Sequence, residues 1–150
     1  MVANGSTGPT DGRGAGYSGT PLPTKLGVKE GQVVLLDRLP ADLDLALALA
    51  PTVTVVRRLR SGLDLTVTFH TQLTTLERRL PALFEHTVTA GTVWVAWPKQ
   101  AAAKRLGIST DLGDGVVRAL GLELGWVDVK VAAISEVWSG LKFVRRLKDR

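Results

Sequence analysis

The chain has 150 residues and a mass of 16.0 kDa, enough for one domain with its own core, and its 45% hydrophobic and 22% charged residues exclude a collagen, a coiled coil and wholesale disorder. The net charge of +5 is unevenly placed: residues 141–150 carry +4 and the rest only +1, so a nearly neutral body ends in a basic, solvated stretch. The lack of cysteine excludes a disulfide scaffold, a thiolate nucleophile and a cysteine-ligated metal, and His70 and His86, sixteen residues apart, are not spaced as metal ligands.

Residues 1–16 are glycine-rich and without periodicity, which reads as a disordered N-terminal tail. A single α/β domain is expected over 17–146, followed by a basic C-terminal end at 147–150. The arm GYSGTPL, with Tyr17, Ser18 and Leu22, reads as an extended segment lying against this domain or a partner, running into a short helix or turn around Leu22–Leu26. Gln32–Asp37 is a continuous apolar run, the mark of a strand buried on both faces. Ala41–Leu49 is rich in Ala and Leu and favours a helix, although its alternation also suits a strand. Thr52–Arg58 and Leu63–His70 are β-branched strands joined through Arg60-Ser61-Gly62. Gln72–His86 places Leu73, Leu76, Leu80, Leu83 and Phe84 at helical spacing, with Arg78 and Arg79 outward and Pro81 expected to kink or divide the helix. Gly91–Trp97 is a strand stopped by Pro98, and Gln100–Leu106 lies as a helical turn inside a cationic loop. Ser109, Thr110 and Asp111 signal the start of a helix over Asp111–Glu123, and Trp126–Ile134 and Val137–Arg146 pair as a hairpin. Alternating strands and helices give a Rossmann-like, mostly parallel sheet with a C-terminal antiparallel hairpin.

The run of elements from LDLTVTFH to WVDVKVAAISEVWSGLKFVRR, residues 63–146, resembles the second half of a class I S-adenosylmethionine-dependent methyltransferase domain. The GYSGTPL opening, Trp97-Pro98-Lys99, Thr110-Asp111-Leu112, Val127–Lys130 and Trp138–Phe143 are similar to a small bacterial family of unknown function. Together these resemblances imply a truncated methyltransferase-like fold and no assigned activity.

A nucleotide cofactor on such a sheet needs glycines at the first strand–helix turn and a carboxylate after the second strand. This chain offers Asp37-Arg38-Leu39-Pro40 at the first position and Arg57-Arg58 at the second, so loss of S-adenosylmethionine binding is the expectation and no cofactor is assigned. Asp37 is the one residue there suited to cofactor contact, and reads more simply as an exposed strand end or helix cap. No Gly-x-Ser-x-Gly elbow or phosphate-binding P-loop occurs, and no catalytic residue is assigned.

The carboxyl ends of the parallel strands should converge on one edge carrying Asp37–Leu39, Arg58, His70–Gln72 and Trp97–Lys99, with Lys104 and Arg105 from the following loop. Arg58, Lys99, Lys104 and Arg105, beside His70 and a planar indole, suit a small anionic ligand or a protein partner. The expectation is a non-catalytic, methyltransferase-like binding or regulatory module. The alternatives are an atypical methyltransferase or other transferase, and an RNA- or ribosome-associated basic protein. No apolar run reaches the ~20 residues that span a bilayer and no signal pattern opens the chain, so a cytoplasmic protein without membrane contact is expected, nucleic acid being a lesser partner.

Overall fold

The computed structural model describes residues 20–41, 43–44 and 52–150. Along the chain run α1 (Leu22–Leu26), β1 (Val33–Asp37), β2 (Thr54–Val56), β3 (Leu63–Phe69), α2 (Leu73–Glu85), β4 (Thr87–Pro98), α3 (Gln100–Leu106), α4 (Asp114–Glu123), β5 (Trp126–Ala133) and β6 (Trp138–Arg145). The strands form one sheet in the order β2-β1-β3-β4-β6-β5, in which β1 to β4 are parallel and β6 runs antiparallel to both of its neighbours. The expected mixed α/β sheet with a terminal antiparallel hairpin is therefore present. No helix among the described residues is long and apolar enough to cross a membrane.

Both faces of the middle of the sheet are covered, which is why Val33–Leu36 of β1 and Val93–Trp97 of β4 read as unbroken apolar runs. On one face Leu76, Leu80 and Leu83 of α2 and Val117 and Leu120 of α4 pack on Leu35, Val93, Val95, Leu141 and Phe143. Each of the three α2 leucines is fully buried, and each contributes roughly 2 kcal/mol by leaving water. On the other face Leu26 of α1 joins Val34, Leu36, Val67, Phe69, Trp94 and Trp138. Trp94 is wholly buried, and its indole N–H donates to Leu26 O at 2.9 Å, which fastens α1 to the sheet.

Several boundaries differ from the sequence reading. Pro81 does not divide α2: it lies on the exposed side, as does Glu77, whose carbonyl loses its helical donor where water can replace it. The fourth strand starts at Thr87 instead of Gly91, because a register shift opposite Leu63 and Leu65 lets the chain pair earlier. Gly91 sits inside that irregularity, where a Cβ would collide with the Thr87 side chain. The last helix starts at Asp114, three residues later than its polar signal, because Asp111 is used elsewhere: its Oδ1 accepts the N–H of Leu73 at 2.8 Å and so caps α2. Tyr17 and Ser18 lie outside the described residues, as does most of the expected helix over 41–49. Leu22 opens α1 and packs half-buried on the second core face.

The basic end is also more structural than its composition suggests. Arg145 stacks over Trp126 at 4.7 Å and donates to the carbonyls of Phe84, Thr87 and Val88, tying the last strand to the end of α2.

Candidate functional site

In an open α/β sheet, ligands gather at the carboxyl ends of the strands where the chain reverses its direction of winding. Here the chain leaves β1 for β2 on one side and returns to β3 on the other, so the crevice lies between the ends of β1 and β3. The register places Asp37 beside Thr68, and His70 follows one residue past the end of β3.

These side chains meet. Asp37 is 3% exposed, not the exposed strand end that the sequence suggested, and its carboxylate is fully engaged. Thr68 donates its hydroxyl to Asp37 Oδ2 at 2.7 Å, and Arg79 donates from Nε to Oδ2 at 3.1 Å and from Nη2 to Oδ1 at 2.7 Å. Arg79 thus turns back from α2 to form a two-pronged pair, against the expectation that it faces outward. Burial alone would raise the Asp37 pKa, but the hydrogen bonds from Arg79 and Thr68 and the Arg79 charge outweigh it and hold the carboxyl below its usual value.

His70 completes the chain of contacts. Its Nε2 lies 2.8 Å from Thr68 Oγ1 and its Nδ1 lies 3.0 Å from Thr75 Oγ1. The ionised Asp37 has the stronger claim on the Thr68 proton, so Thr68 accepts from Nε2–H, while Thr75, 3.0 Å from Nδ1, donates its one hydroxyl proton to Gln72 O at 2.9 Å. Burial first, and then the positive charges of Arg38 and Arg79 against the opposing Asp37, push the His70 pKa down to about 4. The imidazole is 1% exposed. No solute reaches either nitrogen, and the ring serves to hold Thr68.

The turn after β1 has the backbone that a glycine would adopt without cost. Arg38 occupies it at a φ of 58°, the only non-glycine residue with positive φ among those described. Its side chain crosses to β3 and donates from Nε to Phe69 O at 3.2 Å. Arg57 makes a similar span, from Nε to Leu36 O at 3.3 Å. Leu39 and Pro40 follow, both half-buried.

The other sequence candidates are distributed. Trp97 and Lys99 line a pocket of about 390 Å³ with Thr110, Leu112, Asp114 and Ser139, at the end of β4. Trp97 is 5% exposed, and the Lys99 amino group titrates below its usual value because it is partly buried, with Glu136 opposing the shift. Arg58 is exposed just beyond β2, and Lys104 and Arg105 are exposed in the last turn of α3. None of these three lines the Trp97–Lys99 pocket. Among the described residues no group of acidic or histidine side chains could hold a metal ion. Thr68, Thr75 and Arg79 were missed as site residues, and Arg38 was placed at the edge without a role of its own. The one available signal was the two-residue spacing of Thr68 and His70, which puts both on one face of a strand.

No protein-family model matches the chain, and no curated protein matches it in sequence. Solved methyltransferases do match it in structure. The magnesium protoporphyrin IX methyltransferase ChlM from Synechocystis PCC 6803, with bound SAH, is 11% identical over 83% of this chain and 78% of its own, with a TM-score of 0.56. The N-methyltransferase NodS from Bradyrhizobium japonicum WM9, in complex with S-adenosyl-l-homocysteine, is 12% identical over 81% of this chain and 82% of its own, with a TM-score of 0.57. The 1,6-didemethyltoxoflavin-N1-methyltransferase of Burkholderia thailandensis is 11% identical over 83% and 74%, at a TM-score of 0.55. At such identity the likeness is one of fold: the chain has a methyltransferase-like Rossmann architecture.

Proposed function

We propose that this chain is a non-catalytic methyltransferase-like module, acting by binding a protein partner or a small anionic ligand in a regulatory role. The observation that carries this reading is Arg38. A cofactor in the crevice between β1 and β3 must approach the turn backbone closely, which is what glycine permits there. Arg38 holds the glycine-like backbone but sends its side chain across the crevice to Phe69 O.

Two further features agree with it. The Asp37 carboxylate, the group best placed to take a ligand hydroxyl, has both oxygens committed to Arg79 and Thr68. The end of β2 presents Arg57 and Arg58, where a ribose would need a carboxylate. The residues of the crevice therefore do not fit S-adenosylmethionine, although the solved neighbours include methyltransferases bound to its demethylated product. The Trp97–Lys99 pocket is the surface this reading assigns to the small ligand, with the indole as a wall and Lys99 and Asp114 as its charged lining.

Titration calorimetry of the full chain with S-adenosylmethionine and S-adenosylhomocysteine tests the reading. The expected result is no saturable heat with either compound. Micromolar binding of either would overturn it and restore the atypical methyltransferase.

A further inference from the structure

The pocket at the end of β4 is also where α4 begins. Trp97 of β4 and Ser139 of β6 stand directly opposite each other on the ladder, so their side chains leave the sheet side by side, and both line this pocket. Each carries a hydrogen-bond donor that the described residues leave unused. The Trp97 side chain is buried, yet its indole N–H makes no hydrogen bond, whereas that of Trp94 is bound to Leu26 O. Among the described residues the one buried side-chain polar atom sealed from solvent without a partner is Thr66 Oγ1. The Trp97 N–H is therefore not sealed in, and it opens on the pocket that its ring lines. The half-buried Ser139 hydroxyl is likewise without a partner among the described residues.

The helix start adds a third element. α4 runs for ten residues, and its first amides have no acceptor within the helix. Gly113 at its N-cap has no side chain to take them. Glycine is not required there by the fold: its φ of −162° is extended backbone open to any residue, and a Cβ would meet nothing within 4 Å. Its effect is to leave the pocket, which it lines, open up to the helix start.

The geometry points to a binding site for a small organic monocarboxylate. Its carboxylate lies at the start of α4 and accepts from Trp97 N–H and the Ser139 hydroxyl, while its apolar body lies on Leu112 and Val131. The helix start offers about half a positive charge, which one carboxylate matches. The side-chain charges of the lining are one of each sign, Lys99 and Asp114, and Lys99 is already engaged. A phosphate dianion would bring a second negative charge beside Asp114 with no further cation to meet it. The volume of about 390 Å³ lies at the small end of ligand sites. The inference rests on the reading that this pocket takes a small ligand, and it names the chemistry of that ligand.

The test follows the four tryptophan indole N–H signals of the full chain by nitrogen–proton NMR, with that of Trp97 assigned by its loss in Trp97→Phe. Butanoate and hexanoate should move the Trp97 signal saturably, hexanoate several-fold more tightly because more apolar surface leaves water. Butanamide, which has no charge to offer the helix start, should leave it in place. Gly113→Asp supplies a carboxylate of the chain's own to α4, so it should melt at or above the parent and bind hexanoate at least about tenfold more weakly. Four results would each overturn the proposal: no saturable shift up to about 10 mM hexanoate, equal shifts with butanamide, undiminished binding by Gly113→Asp, or tighter binding of inorganic phosphate than of hexanoate. The Trp97 signal reports on this pocket alone, so failure here is separate from the titration with S-adenosylmethionine, which tests the crevice at Asp37.

Discussion

Acidification from pH 8 to pH 5 should remove about 2 kcal/mol of stability through His70 alone. The ring is buried and neutral in the fold, with its pKa lowered from 6.5 to about 4. Between those two values the unfolded chain binds a proton that the folded chain refuses, so stability falls as the pH falls through this window. Weighing the two protonation equilibria gives a loss of about 2 kcal/mol by pH 5 and about 3 kcal/mol by pH 4. Asp37 acts in a separate window. Its lowered pKa adds stability that is complete above its ordinary value of 3.8 and is lost only as the pH falls below that. Urea unfolding followed by tryptophan fluorescence reads the effect, since Trp94 and Trp97 are both buried. For a domain of this size a loss of 2 kcal/mol moves the midpoint down by about 1 M urea. His70→Gln lowers stability at pH 8 by removing a hydrogen bond, but it cannot titrate, so its midpoint should hardly change between pH 7 and pH 5. Parallel pH curves for parent and variant would refute the assignment of the buried neutral ring.

Asp111→Ala should cost about 1 kcal/mol by removing the carboxylate that caps the N–H of Leu73, and hydrogen exchange should quicken in the first turn of α2 and not in that of α4. Gly121→Ala places a methyl group into the Phe143 ring, where α4 meets the sheet, and should cost about 1–3 kcal/mol in the same urea assay, with Phe143→Leu in the double variant recovering part of it.

The sheet was legible because its signals are local. A strand covered on both faces must be apolar throughout, so Val33–Asp37 announces itself, and a helix packed on a sheet must repeat leucine at three- and four-residue spacing, as Leu73, Leu76, Leu80 and Leu83 do. What the sequence hid is decided across distance. Asp111 carries a perfect local signal for the helix just after it, yet a loop brings it to the start of α2 and its carboxylate is spent there, 38 residues away. Arg79 borders the leucine stripe. Its polarity reads as solvent-facing, while its length lets the guanidinium reach back to Asp37 across 42 residues. The same blindness misjudged Asp37, because a carboxylate ending an apolar run looks exposed until its partner is known.

The polar groups of the crevice at Asp37 satisfy one another. A buried carboxylate at this point of the sheet must be satisfied, and either a ligand or the chain can do it. Here the chain does so completely, with two donors from Arg79 and one from Thr68, while His70 holds Thr68 in place. A ligand hydroxyl seeking this carboxylate would first have to part its two-pronged pair with the half-exposed Arg79. It would also have to displace the Arg38 side chain from Phe69 O. On the proposed reading, cofactor binding would require changes at both arginines: glycine alone at position 38 would open the turn and leave the carboxylate still occupied.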